Sequence, residues 1–118
     1  MKRYALLAAA LFASSAMAAE PLKKVDGVYV DAAGRTVYTF DKDVAGSGKS
    51  ACVDACLKNW PAVPAPDGLA APWSAITRDD GSKQLAYQGK PLYLFINDKQ
   101  AGERKGDNFK DVWHVVKD

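Results

Sequence analysis

The chain has 118 residues, 48% of them hydrophobic, and carries sixteen Lys and Arg against fourteen Asp and Glu. Lys2 and Arg3 are the only charged residues in the first 18, so the remainder has fourteen charges of each sign and no net charge. This balance gives no electrostatic basis for binding nucleic acid or an anionic membrane surface, as strongly basic proteins do. About 100 remaining residues are enough for one domain with one modest core.

Residues 1–18 have the pattern of a secretory signal peptide. Two basic residues precede an apolar run over 5–13, and residues 16–18 (Ala-Met-Ala) have the small-x-small form of a cleavage site. The apolar run is too short to span a membrane. We therefore expect cleavage after Ala18, a single domain over 19–118 and a periplasmic or secreted location. Because no Cys adjoins the cleavage site, we do not expect a lipid anchor.

The chain after Gly27 reads as short strands separated by turn residues. One predicted hairpin joins 28–30 to 36–40, and a second joins 85–87 to 92–96. Residues 73–77 and 112–116 are further strand candidates, and no transmembrane segment is expected.

The two cysteines fall in the one predicted helix. Ser50 is expected to cap a helix over 51–58, which Trp60 and the following proline end. Spacing of four places Cys52 and Cys56 on one helical face. In an oxidising location this spacing favours a disulfide, worth at most about 2 kcal/mol because the loop it closes is short.

Segment 34–43 recurs as segment 89–98. GRTVYTFDKD and GKPLYLFIND share a Gly, a basic residue, an aliphatic residue, Tyr, Phe and Asp in one register, 55 positions apart. Six matches indicate an internal duplication, with a first copy over about 27–63 and a second over about 73–117. The fold predicted is a small single domain, mainly β (α+β), built from two pseudo-repeated β-hairpin units and one short Cys-containing helix. The repeated motif residues are Tyr38, Phe40, Asp43, Tyr93, Phe95 and Asp98.

Period-two geometry assigns roles to the motif. Tyr and Phe of each copy share one face of their strand. Leu92 and Leu94 make the opposite face apolar in the second copy, which predicts a central strand covered on both sides. Asp43 and Asp98 each end a strand before a Gly-containing loop, so we expect these carboxylates to accept backbone N–H bonds and to be structural.

These features resemble those of a known family. YTFDKD (38–43) and YLFIND (93–98) match the pattern Y-x-[FWY]-x-x-D, and SACVDACLKNWPAV (50–63) contains Cys-x3-Cys followed by Trp-Pro. The chain is therefore similar to bacterial secreted-repeat proteins, which are often lipoproteins, over nearly all of its mature length. The resemblance implies a small exported β-rich domain of a family whose activity is undefined. Many members carry a lipidated Cys at the cleavage site, whereas the first Cys here is Cys52.

Other chemistry receives less support from the residues. A calcium loop beginning at Asp41 would place Ala45 and Cys52 where oxygen ligands are required. Paired thiolates suit Cu(I), so Cys52 and Cys56, with His114 as third ligand, define a copper or thiol-redox alternative. His114 alternates with valines, which also fits a packed strand histidine, and no nucleophile elbow is present.

We therefore expect a non-enzymatic, monomeric cell-envelope protein without a cofactor. It would serve as a binding or structural protein whose partner is an unidentified envelope ligand or protein, and not nucleic acid.

Overall fold

The computed structural model describes residues 20–117, so the predicted signal peptide and its cleavage site lie outside the described residues. Over this range the chain is mainly β, as predicted, with short antiparallel strands and one short helix. The elements are β1 (Lys23–Val25), β2 (Val28–Val30), β3 (Tyr38–Phe40), α1 (Ala55–Asn59), β4 (Trp73–Thr77), β5 (Lys83–Tyr87), β6 (Lys90–Pro91), a 3₁₀ helix (Phe109–Asp111) and β7 (Trp113–Val115).

The strands form three small antiparallel sheets that isolated bridges connect. β1 pairs with β2, β3 pairs with β7, and β4, β5 and β6 form the third sheet in that order. Tyr93 bridges Tyr38 on one side and Ala62 on the other. Tyr93 thus lies between two neighbouring segments, but the residues around it do not form the central strand that the sequence predicted.

Five of the six predicted strands are present among the described residues, and their lengths partly differ from the prediction. β4 has the predicted bounds, whereas the 36–40 and 112–116 segments reduce to β3 and β7, which pair with each other. Segment 92–96 is not a regular strand. Its backbone hydrogen bonds go to two different segments, because the Tyr93 N–H donates to the Tyr38 carbonyl and the Leu94 N–H donates to the Pro61 carbonyl on the opposite side.

The predicted helix over 51–58 was wrong at its start. The helix begins at Ala55, because Asp54 has a left-handed φ of 54° that interrupts any helix running from residue 51. Ser50 does not cap it, because the N-cap position is Asp54; the Ser50 hydroxyl accepts the Cys52 N–H at 3.2 Å and contacts the Tyr93 hydroxyl at 2.5 Å. Cys52 therefore lies outside the helix that contains Cys56.

The core divides along the two faces of the repeated motif. Aliphatic positions of the motif, including Val37 and Leu92, pack in one cluster with Trp73. The motif tyrosines and Phe95 pack in the other, which we call the aromatic cluster. The members of the aromatic cluster are Tyr38, Cys52, Trp60, Tyr93, Phe95 and Trp113.

Within residues 20–117 no helix has the length and apolar character that a membrane crossing requires.

Candidate functional site

The two motif tyrosines bond to the aspartates of each other's copy. Tyr38 donates its hydroxyl proton to Asp98 Oδ2 at 2.5 Å, and Tyr93 donates to Asp43 Oδ2 at 2.6 Å. The same two tyrosines exchange backbone hydrogen bonds, N–H to C=O, at 2.8 and 2.9 Å. The contacts are reciprocal, as in a two-fold dimer interface, so the two copies are interlocked within one chain.

Each aspartate also holds the loop of its own copy. Asp43 Oδ1 accepts the Ala51 N–H at 2.6 Å, and Asp98 Oδ1 accepts the Lys105 N–H at 2.9 Å. Asp98 is 2% exposed, whereas Asp43 is half-buried. Each of these two carboxylates therefore connects the turn of its own copy to the motif tyrosine of the other copy.

The tyrosines are held as proton donors. Burial raises the pKa of both the Tyr38 and the Tyr93 hydroxyl, and the hydrogen bonds to Asp98 and Asp43 add to the rise. Each phenol therefore keeps its proton through the neutral range, and each bond to an aspartate is the strong, charge-assisted kind.

Four aromatic rings stack across the junction between the copies, and we call them the aromatic stack. Phe40 lies on Trp113 with ring centroids 4.2 Å apart, Trp113 on Trp60 at 3.7 Å, and Trp60 on Phe95 at 4.0 Å. The rings are within 16° of parallel at each step. Members from the first and second copies alternate along the stack, so neither copy can form it alone.

A groove of about 580 Å³ opens beside the aromatic stack, and we call it the shared groove. Each copy supplies six of its lining residues, from the motif, the helical segment that follows it and the tryptophan after that segment. The first copy contributes Phe40, Lys42, Ala55, Cys56, Asn59 and Trp60, and the second contributes Phe95, Asn97, Phe109, Lys110, Val112 and Trp113.

Each copy contributes one lysine and one asparagine to the lining. The first copy contributes Lys42 and Asn59, and the second contributes Asn97 and Lys110. The two lysines are the only charged lining residues, and neither forms an ion pair within the part of the chain that the structure describes. Lys110 Nζ lies 5.7 Å from the centroid of the Phe109 ring.

The wall from the second copy has an unusual backbone. Asn108, Lys110 and Asp111 have φ values of 61°, 52° and 61°, in the left-handed region that L-residues rarely adopt. Such conformations cost of order 1–3 kcal/mol each and cluster at ligand-binding and active sites. Phe109 is consequently presented at the surface, 36% exposed, against Trp60 and Phe95.

The cysteines are joined, and one of them lines the shared groove. Cys52 and Cys56 form a disulfide with Cα atoms 5.2 Å apart, so neither sulfur is a thiolate ligand in this structure. Cys52 is fully buried in the aromatic cluster, and Cys56 contributes to the groove wall.

The histidine of the copper alternative has other partners. His114 contacts Asp41 through Nε2 at 2.8 Å and Asn108 through Nδ1 at 3.2 Å. Among residues 20–117, no group of three or more His, Cys, Asp or Glu is placed to hold a metal ion.

The sequence indicated the two copies of the motif but not the shared groove. Lys42, Asn97, Phe109 and Lys110 were not among the expected site residues. A signal for the groove is present, because a tryptophan follows the motif at a similar distance in both copies, at Trp60 and Trp113. Two corresponding apolar faces that each end in a tryptophan are suited to packing on one another.

A family model described as a secreted repeat of unknown function matches the chain twice, over residues 22–64 and 74–117. No curated protein and no solved structure matches the chain.

Proposed function

Since this chain belongs to the family of secreted repeats of unknown function, we propose that it is an exported, non-enzymatic binding domain. Its ligand is a small planar aromatic molecule that occupies the shared groove. The observation that carries this proposal is that six residues of each copy converge on a single aromatic groove.

The dimensions and chemistry of the groove support a small ligand. A volume of about 580 Å³ lies within the roughly 300–1,000 Å³ of small-molecule pockets. Aromatic side chains dominate the lining, and a few amides and lysines provide polar contacts. Aromatic rings favour planar partners that can stack or pack edge to face, each pair contributing about 0.5–1.5 kcal/mol beyond area burial.

The lining favours binding over catalysis. General acid–base chemistry requires a positioned carboxyl, imidazole or similar group, and covalent chemistry requires an activated nucleophile. The lining contains no carboxylate, imidazole or hydroxyl, its one sulfur belongs to the disulfide, and its two lysine side chains are exposed rather than buried beside an activating group.

The motif residues have a separate, structural role in this proposal. Tyr38 and Tyr93 are fully buried and their hydroxyls are bonded to Asp98 and Asp43, so they hold the copies together without meeting the ligand. Phe40 and Phe95 end the aromatic stack and line the groove. Motif residues thus form part of the groove, and residues that are not motif positions supply its polar groups.

Binding is tested by titrating the mature protein with a panel of naphthalene- and indole-based compounds. We expect saturable shifts of the Trp60 and Trp113 indole resonances in NMR spectra. Phe109→Ala should weaken binding about tenfold, because it removes one aromatic contact of about 1.4 kcal/mol. Val44→Ala, at an exposed position that does not line the groove, is the matched control and should leave affinity unchanged. No binding by any member of the panel, or equal weakening by both variants, would contradict the proposal.

A further inference from the structure

We infer that the ligand of the shared groove is an anion, a planar aromatic carboxylate, and that Lys42 and Lys110 bind its charged group. This inference rests on the proposed function, and it names the chemical class of ligand that the groove selects.

The charge of the groove departs from that of the chain around it. The sequence after residue 18 carries equal numbers of basic and acidic residues, yet the groove has two lysines and no acidic lining residue. Asp41, which precedes Lys42, is engaged by His114 at 2.8 Å. The lining itself offers the two ammonium groups no carboxylate partner, and an anionic ligand would supply one.

The two lysines come from positions that do not correspond between the copies. The counterpart of Lys42 in the second copy is Asn97, whereas Lys110 lies 12 positions beyond the motif residue Asp98. Duplication of one ancestral lysine therefore does not account for both. Each positive charge arises at its own position, and both line the same groove.

The two lysines come from different elements of the fold. Lys42 follows β3 in the first copy, whereas Lys110 lies in the 3₁₀ helix of the second copy. Lys110 has a left-handed backbone conformation, and its ammonium group lies 5.7 Å from the Phe109 ring centroid. A cation beside an aromatic wall is suited to a ligand that has both a ring and a negative charge.

Amide groups complete the polar lining. Asn59 comes from the first copy and Asn97 from the second, and each carries two N–H donors that a carboxylate can accept. With the aromatic stack beside them, the polar groups distinguish a planar aromatic acid from a neutral ring of the same size.

The inference is tested with three probes of one shape: naphthoate, naphthamide and naphthylmethylamine, which are anionic, neutral and cationic. We expect the acid to bind about tenfold more tightly than the amide, and the amine to bind most weakly. Lys42→Gln and Lys110→Gln should each weaken naphthoate binding about fivefold, which corresponds to about 1 kcal/mol for an exposed ion pair. Naphthamide binding should not change.

Lys58→Gln is the matched control, because Lys58 lies in the last turn of α1, is exposed and does not line the groove. It should leave the affinity for naphthoate unchanged. Equal binding of acid and amide, or no effect of either groove lysine, would overturn the inference while the proposed function stands. Failure of all three probes to bind would instead count against both.

Discussion

Asp98→Ala should lower the free energy of unfolding by about 3 kcal/mol, because it removes charge-assisted hydrogen bonds from a buried site. Asp98 is 2% exposed, and its two oxygens accept from the Tyr38 hydroxyl and the Lys105 N–H. Both donors would lose this acceptor where the Asp98 side chain shields them from water. Urea unfolding followed by tryptophan fluorescence measures the change.

The corresponding change in the other copy should cost less. Asp43 is half-buried, so water can reach the groups that Asp43→Ala exposes, and Tyr93 keeps its contact with the Ser50 hydroxyl at 2.5 Å. We expect a loss of about 1–2 kcal/mol for this variant. A loss for Asp43→Ala that equals or exceeds that for Asp98→Ala would contradict the assigned environments.

Gly89→Ala should destabilise the protein by about 3 kcal/mol, the sum of backbone strain and steric overlap. Gly89 has a φ of 81°, and a Cβ atom there would lie 2.7 Å from the Gly46 nitrogen. The neighbour is backbone, so it cannot rotate away as a side chain could. The Gly46 N–H donates to the Gly89 carbonyl at 3.0 Å, so the substitution also disturbs a contact between the two copies.

Gly27→Ala is the control for Gly89→Ala. Gly27 has a φ of 84° and ends a two-residue turn between β1 and β2, as Gly89 does between β5 and β6. No atom lies within 4 Å of a Cβ placed at Gly27. Only the conformational cost of about 1–2 kcal/mol should therefore appear. Equal melting temperatures for the two variants would show that the close approach at Gly89 is not restrictive.

Local sequence patterns predicted much of the fold. Alternation along the motif separated Val37 and Leu92 from Tyr38 and Tyr93, and the structure places these pairs in two different clusters. Such patterns succeed because the side-chain period of a strand is fixed by backbone geometry.

The helix was mispredicted because tertiary contacts override a local capping signal. Ser50 has the residue type of an N-cap, but its hydroxyl accepts only the nearby Cys52 N–H, and it also contacts Tyr93, which lies 43 positions away in the sequence. Capping competes with any other hydrogen bond that the side chain can make. The backbone then turns at Asp54, and the helix starts one residue later.

The cross-copy bonds were beyond the sequence patterns for a different reason. Tyr38 and Asp43 stand five positions apart in one motif, which suggests a bond within that motif. The partner of Tyr38 is Asp98, and only the packing of one copy on the other decides this. The shared groove depends on the same packing, so its lining could not be read from either copy alone.

Interlocking explains how so small a domain can present an aromatic groove. Large stacked rings require a rigid frame, and about 100 residues provide only a modest core. Reciprocal bonds between the motifs fix both halves of the aromatic stack in one geometry, with Trp60 and Trp113 at its centre. The polar residues that line the shared groove can then differ between the copies, as Lys42 and Asn97 do.

The interlock is tested most directly by double-mutant cycles in which Tyr38→Phe is combined with Asp98→Asn or with Asp43→Asn. We expect a coupling free energy of about 1–2 kcal/mol for Tyr38 with Asp98, because the two side chains share a hydrogen bond. For Tyr38 with Asp43, which belong to the same motif but bond to different partners, we expect coupling below about 0.5 kcal/mol. Strong coupling of Tyr38 to Asp43 with none to Asp98 would contradict the interlocked arrangement and the shared groove that depends on it.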